Sequence, residues 1–342
     1  MDRKKIFMYA TQSKLVEEES FLFHKLGFDV YTAAWATDQT THFRGYKDYN
    51  PNHFYQGKCD FLTDDEINVL SKVDVSWDKL PTVSTRYVPE VRDVLLDKFD
   101  ILYVIAPTPW LLYGEDFLKA GKKVVFRPFG YAPYTWGKSV DISVLSNYED
   151  FHVVTCTPYD VKHYKNVSTA ITMVNKDLIL DPAPQGDHIF TIFPIVNGQI
   201  KNDLAIKLNA LKIPWVLHEY HYEWKSSVDM DKLFSSSVLY FDLNSMVRYP
   251  ILEAMAHGKA VVMRGSLSPK TPQAFVFLVD AGLDPTIPCY YKDFGNAPSV
   301  VAKLYASSEL RDRVATVQTT WLDSMIDKAI EVWSRVLEVN NG

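Results

Sequence analysis

A stretch from Val238 to Arg264 carries the side chains whose spacing best predicts chemistry. It reads as an apolar strand, a polar loop, a helix that opens near Pro250 and stops at Gly258, and a second apolar strand. Arg248 stands at the helix start, where a cation loses roughly 0.3–1 kcal/mol to the helix dipole unless an anion lies between them. Glu253 follows about one turn later and could bond hydroxyl groups beside that anion. A phosphate next to a diol indicates a nucleotide, but a surface arginine and a solvated glutamate would also explain these residues.

The elements that must position these side chains alternate between apolar strands and helices, which predicts parallel α/β sheets. We expect strands at residues 5–11, 28–35, 101–106, 123–126 and 152–156, then at 188–194, 215–218, 238–241 and 259–263. The segment between the two groups, 181–187, has two prolines and a glycine and is the expected domain boundary. Ligands bind outside the carboxyl ends of strands in such sheets, so the loop 244–249 should lie at a binding site.

The segment LEAMAHGKAVV, Leu252–Val262, resembles the LLEAMACGKPVV segment of nucleotide-sugar glycosyltransferases that have the two-domain GT-B fold. The resemblance implies an α/β chain of two doubly wound, Rossmann-like domains that face a cleft. With the boundary above, residues 1–182 would bind the acceptor and 188–318 the nucleotide sugar, while the C-terminal helix 319–342 would cross back to the first domain.

Donor-binding roles follow from the same resemblance. The family motif is E-x7-E, in which the second glutamate holds the ribose and the loop amides hold the diphosphate. The ribose role falls on Glu253, and the first glutamate, which contacts the donor sugar, falls at Ser245, so this chain departs from the pattern there. The loop contacts would come from Val247, Arg248 and Tyr249.

Two further positions of the second half match donor contacts. The family has a glycine turn and a basic residue for the diphosphate after the first strand of this domain, and Gly198 and Lys201 match them. His218 ends a strand and suits a contact with the nucleotide base. The string His218–His221 reads H-E-x-H rather than the zinc pattern H-E-x-x-H, so we expect no metal.

The first half gives weaker indications of a catalytic base. Glu115, Asp38 and His42 are the candidates, although Glu115 can equally be a partner of the helix dipole. Residues 127–131 follow a strand at its carboxyl end and are expected to face the cleft.

The long polar segment 37–58 interleaves aromatic side chains with cations, Arg44 and Lys47 among them. It is either an aromatic-anchored surface loop or part of an acceptor site. Because it has a basic residue in the donor loop, the chain also resembles the DNA-base glucosyltransferases of T-even phages. In such an enzyme, aromatic rings would stack a flipped base while cations hold the flanking phosphates.

Composition limits the remaining possibilities. The chain has 342 residues, a formal net charge of −6 and 47% hydrophobic residues, as expected for a globular protein of two domains. The negative charge argues against a generally basic nucleic-acid binder. Three widely spaced cysteines indicate reduced thiols, and the sequence shows neither a signal segment nor a membrane span. We therefore expect a cytoplasmic protein, in the host cytoplasm if the source is viral.

These observations predict a hexosyl- or pentosyltransferase that moves a sugar from a nucleotide diphospho-sugar, most simply a UDP-sugar, to a hydroxyl group of a carbohydrate or small molecule. No metal is required by the sequence. Three alternatives stay open: a phage enzyme that modifies hydroxymethylated pyrimidines in DNA, a non-catalytic nucleotide-sugar binding protein, and a nucleotide-sugar epimerase.

Overall fold

The chain forms two compact units in a computed structural model: Met1–Met173 with Ile326–Gly342 as unit 1, and Val174–Met325 as unit 2. The described residues are 3–10, 13–34, 52–53, 61–70, 72–73, 87–105, 109–128, 148–156, 165–176, 184–193, 198–219, 227–243, 249–265 and 278–338. The predicted assignment of acceptor and donor to the two parts of the chain stays a prediction.

Unit 1 is built on a seven-stranded parallel sheet with the order β3-β2-β1-β4-β5-β6-β7. Its strands are β1 Lys5–Ala10, β2 Asp29–Ala34, β3 Asn52–His53, β4 Ile101–Ile105, β5 Lys123–Arg127, β6 His152–Thr155 and β7 Val167–Thr169. The α-helices are α1 Ser13–Lys25, α2 Asp64–Leu70, α3 Pro89–Lys98 and α4 Gly114–Lys119, with short 3-10 turns at Pro109–Tyr113 and Tyr148–Asp150. The strand order reverses between β1 and β4, which is the doubly wound arrangement that the sequence predicts.

Local sequence explains these elements. All five residues of β4 are buried, as expected for a central parallel strand covered on both faces. Helix α2 opens with a capping box, in which the Thr63 amide donates to the Glu66 carboxylate (2.8 Å) and the Glu66 amide donates to the Thr63 hydroxyl (3.3 Å). An aromatic cluster fills the adjacent core, where the Phe7 ring lies 4.6 Å from Trp110 and 5.3 Å from Phe99.

A buried ion pair fixes helix α1 to the sheet of unit 1. The Arg127 Nε atom lies 3.1 Å from a Glu19 oxygen, and the two side chains are 1% and 0% exposed. The Tyr103 hydroxyl donates to the other Glu19 oxygen, and Arg127 donates to the carbonyls of Ala170 and Ile171. The sequence places Arg127 just after a strand and predicts that it faces a cleft; in the structure it is the last residue of β5 and is held inside unit 1.

Unit 2 contains a five-stranded parallel sheet with the order β12-β11-β10-β8-β9. Its strands are β8 Ile189–Phe193, β9 Trp215–Glu219, β10 Leu239–Phe241, β11 Ala260–Arg264 and β12 Tyr290–Tyr291. The helices are α5 Gly198–Ala210, α6 Ser227–Ser236, α7 Tyr249–Ala256, α8 Ala297–Ala306 and α9 Ser308–Val336. Here the order reverses between β8 and β10, so the prediction of a second doubly wound sheet is confirmed.

Gly258 ends helix α7 as the sequence predicts. It has φ +67°, a left-handed conformation that glycine adopts without steric cost. The Gly258 amide donates to the Met255 carbonyl (2.9 Å) and the Lys259 amide to the Ala254 carbonyl (3.0 Å). These two bonds are those of a Schellman motif, which redirects the chain into β11.

The buried side chain of Gln318 from α9 bonds to the backbone of β11. Its oxygen accepts from the Val261 amide (2.8 Å) and its nitrogen donates to the Val261 carbonyl (2.9 Å). Strand β12 pairs only with Met263 and Arg264. The Gln318 amide therefore replaces a strand partner at Val261.

Helix α9 begins in unit 2 and its last turns belong to unit 1. In unit 1 the buried Trp333 ring lies 5.0 Å from Phe23, 5.6 Å from Tyr103 and 5.3 Å from the Arg127 guanidinium. The end of the helix is held by Lys123, whose Nζ atom donates to the Val336 carbonyl at 2.7 Å.

Two of the cysteines, Cys156 and Cys289, lie in the described part of the chain, and both are free thiols. Across that same part, no helix combines the length and the apolar character needed to cross a bilayer.

Candidate functional site

The candidate site of unit 2 lies at the reversal of strand order. Strands β8 and β10 are neighbours there, and the chain leaves their carboxyl ends in opposite directions along the sheet. Helix α5 begins at Gly198 after β8, and helix α7 begins at Tyr249 after β10. Two helix starts, whose first amides have no partner within the helix, thus follow the two strands that flank the reversal. Such a position favours an anion.

The sequence-predicted donor residues fall around these helix starts. Gly198 is the first residue of α5 and Lys201 is in its first turn, while Tyr249 is the first residue of α7. Other candidates lie outside the described residues: Ser245, Val247 and Arg248 of the donor loop, Asp38 and His42 of the first half, and the cations Arg44 and Lys47. Their roles stay predictions.

Glu253 lies within α7 and is only 1% exposed. Its carboxylate is grouped with Asp231 of α6 and with His257, which directly follows α7, so that one polar atom of each lies within 4.8 Å of the others. The His257 Nε2 atom is 3.1 Å from the Asp231 carboxylate. A solvated helix glutamate, the alternative that the sequence left open, does not describe this residue.

His218 lies in β9 and is 4% exposed. Its strand pairs with β8, and His218 is opposite Ile192 in that pairing. Within the described residues, the single group of His, Cys, Asp and Glu side chains with metal-like spacing is the one around Glu253. His218 is not part of it.

Other polar residues, which the sequence patterns did not identify, lie at the carboxyl end of this sheet. Asp242 follows β10 directly and is fully buried, and it accepts a bond from the Tyr240 hydroxyl (3.3 Å). The Tyr291 hydroxyl donates to the Asp242 carbonyl (2.9 Å), and burial together with the Asp242 charge raises the pKa of Tyr291. Arg264 ends β11, with its guanidinium 5.1 Å from the Phe294 ring centre. The position of Asp242 and Arg264 at strand ends was the signal that could have identified them.

Glu115 of unit 1 lies in the first turn of α4, where its carboxylate is 3.4 Å from the Lys119 ammonium one turn later. A carboxylate at this position is stabilised both by the positive end of the helix dipole and by the lysine. This geometry suits the structural interpretation of Glu115 at least as well as a catalytic one.

No protein-family model and no curated protein matches the sequence. Solved structures match the fold at low identity. A mutant of the Thermobaculum terrenum O-GlcNAc transferase is 14% identical with a TM-score of 0.50, over 98% of this chain and 66% of that chain. A variant of Os79 from O. sativa, solved in complex with UDP, is 9% identical with a TM-score of 0.55, over 99% and 100% of the two chains.

The T4 phage BGT, solved as a mutant in complex with UDP-glucose, is 11% identical with a TM-score of 0.46, over 97% of this chain and 99% of that chain. That score is too low to support a closer relation to the phage enzyme. The similarity to the first two structures, over nearly the whole chain and with two doubly wound parallel sheets, agrees with the fold predicted from the LEAMAHGKAVV segment. The chain therefore has the GT-B fold of the nucleotide-sugar glycosyltransferases.

Proposed function

We propose that this protein transfers a sugar from a nucleotide diphospho-sugar, a UDP-sugar in the simplest case, to a hydroxyl group of a carbohydrate or small molecule. The observation that carries the proposal is the pair of helix starts, α5 and α7, after the two strands that flank the reversal in unit 2. The O-GlcNAc transferase and the UDP complex of Os79 have the same fold, which supports this choice of reaction and donor.

The proposed donor site assigns a role to each part of the nucleotide. Amides at the starts of α5 and α7, with Lys201 and Arg248, would hold the diphosphate. Glu253 would bond the ribose hydroxyls, and His218 would lie near the base. Because Glu253 is 1% exposed, the residues that cover it must shift when a donor binds.

The reaction breaks the bond between the anomeric carbon and the diphosphate and forms a bond from that carbon to the acceptor oxygen. Negative charge develops on the leaving diphosphate, and amides and cations oriented before the reaction stabilise it without a metal. The acceptor hydroxyl loses its proton to a base, for which Asp38, His42 and Glu115 remain the candidates. The pairing of Glu115 with Lys119 makes it the weakest of the three.

Incubation of the protein with a panel of UDP-sugars, with and without hydroxyl acceptors, tests the reaction. We expect release of UDP and a glycosylated product, both dependent on the acceptor and detected by mass spectrometry. A nucleotide sugar that binds without turnover would instead indicate a binding protein. Conversion of one nucleotide sugar into another without acceptor would indicate an epimerase.

Hydroxymethylated DNA belongs in the same acceptor panel. Transfer to it that falls steeply with added salt would favour the DNA alternative, because phosphate contacts release counterions. The described residues give that alternative no specific support, since only Asn52 and His53 of the loop 37–58 are among them.

A substitution tests the ribose assignment. Glu253→Gln replaces a charged acceptor with a neutral side chain of roughly the same size. Loss of a hydrogen bond to a charged group costs about 1.5–3 kcal/mol. Calorimetry should therefore show UDP affinity that falls about 10- to 150-fold. Unchanged affinity in a folded variant would refute the assignment.

A further inference from the structure

We propose that His257 and Asp231 are positioning residues that orient Glu253 for the ribose of the donor. The inference rests on the proposed function, since it assumes that Glu253 holds the ribose, and it adds two residues that neither the motif nor the fold assigns.

The His257 ring is held from two sides by helix α6. Its Nε2 atom lies 3.1 Å from the Asp231 carboxylate, and its face stacks on Phe234 with ring centres 5.6 Å apart and planes at 20°. The His257 amide also donates to the Glu253 carbonyl at 3.0 Å, because the two residues are one helical turn apart. The imidazole therefore has a fixed place and orientation next to Glu253.

Burial gives this arrangement its effect on Glu253. Asp231 and Glu253 are 2% and 1% exposed, so their carboxylates depend on polar neighbours within the protein rather than on water. His257 is the third member of the group, with a polar atom within 4.8 Å of both carboxylates. A polar ring fixed there limits the orientations that the Glu253 side chain can adopt. An apolar side chain in its place would remove that polar neighbour, and Glu253 would adopt another rotamer.

The same three side chains have donor atoms spaced closely enough to bind a divalent cation. A bound metal would make His257 a ligand rather than a positioning residue, so the experiment below must separate the two.

Calorimetric affinities for UDP and for 2′,3′-dideoxy-UDP test the proposal, because their ratio reports the contact with the ribose hydroxyls. In the wild type we expect UDP to bind about tenfold or more tightly than the dideoxy compound. Glu253→Gln should bring the ratio close to one. His257→Leu should do the same although Glu253 is intact, and His257→Gln should restore part of the ratio, since its amide can still donate to Asp231.

Met255→Ala is the matched control on the same helix. Met255 is fully buried and is not a member of the group, so its truncation should lower the melting temperature and leave the ratio unchanged. This control separates a loss of orientation from a loss of stability. If His257→Leu does not fold, the affinity ratio of His257→Gln is the test. A ratio between those of the wild type and Glu253→Gln, at an unchanged melting temperature, supports the proposal. A ratio equal to that of the wild type contradicts it.

Three results would overturn the proposal. If Glu253→Gln loses the ratio but a folded His257→Leu keeps it, the positioning role is wrong and the ribose assignment stands. If the wild type shows no preference for UDP, or Glu253→Gln keeps that preference, the ribose assignment fails and the positioning role fails with it. If elemental analysis finds one metal ion per chain in the wild type and none in His257→Leu, the group is a metal site.

Discussion

Replacing Gln318 by methionine should destabilise unit 2 far more than the loss of one polar side chain from a helix normally does. Both Gln318 and Val261 are fully buried, and the glutamine satisfies both backbone groups of Val261 on the side where β12 provides no partner. Methionine has a similar length but cannot form either bond. The substitution leaves the N–H and the C=O of Val261 without partners and beyond the reach of water.

The magnitude follows from those two groups. A buried backbone group without a partner costs about 1–3 kcal/mol, so two cost about 2–6 kcal/mol, and burial of the methionine side chain offsets part of this. We expect a net loss of about 2–4 kcal/mol. For a unit of roughly 150 residues, each 1 kcal/mol lowers the melting temperature by about 2–4 °C, which gives a decrease of about 5–15 °C.

Calorimetric melting with hydrogen exchange at the Val261 amide is the appropriate assay. The exchange rate should rise together with the loss of stability, because the amide loses its acceptor. Thr316→Ala is the control on the same helix: Thr316 is exposed and its hydroxyl donates to the Asp312 carbonyl of that helix, so its loss should cost less than about 0.5 kcal/mol. A Gln318→Met protein that melts within about 2 °C of the wild type, with the Val261 amide still protected, would refute the role we assign to this glutamine.

Two further predictions concern unit 1. Arg127→Met should destabilise the protein by about 3–5 kcal/mol in urea unfolding, because Glu19 stays buried without its cation, whereas Glu19→Leu combined with Arg127→Met should recover most of that loss. An additive double variant would contradict this coupling. Burial and the cations Lys123 and Arg335 lower the pKa of His152 below its ordinary value of 6.5. The unfolded chain therefore binds the proton more readily, so stability present above about pH 6.5 is lost as the pH falls below it. His152→Gln should show a smaller drop in melting temperature between about pH 7.5 and 5.5 than the wild type, and equal drops would contradict the shift.

Local patterns were enough to predict most of the regular elements. The apolar run that begins at Ile101 was expected to end at residue 106, and the strand ends at Ile105. A C-terminal helix was expected over 319–342, and helix α9 spans Ser308–Val336. The stop at Gly258 is also where the sequence placed it, because helix and strand ends depend on neighbours within a few residues.

Pairings between distant residues could not be predicted in this way. Glu19 follows two other glutamates on a helix, a pattern that normally indicates a solvent-exposed face, and its partner Arg127 lies on a strand more than a hundred residues later. The position of Gln318 opposite Val261 likewise depends on how α9 packs on the sheet of unit 2. Such contacts depend on tertiary packing, which a single sequence does not reveal.

The candidate site was predicted in part. The motif identified α7 and Glu253, but the reversal between β8 and β10 needed the strand order of the sheet. The contact of His257 with Asp231 joins two helices and has no local signal. Sequence alone therefore found the segment that defines the site and missed the side chains that surround its glutamate.

The return of α9 to unit 1 has a consequence for how the protein is made. Trp333 packs on Phe23 and Tyr103 and lies over Arg127, so part of the wall of unit 1 comes from the far end of the sequence. A ribosome releases the strands of unit 1 first, then all of unit 2, and only then this tryptophan. While unit 2 is synthesised, nascent unit 1 therefore lacks Trp333, and the apolar surface that this ring covers stays exposed beside the Glu19–Arg127 pair. Aggregation or capture by a chaperone is most favoured during this interval.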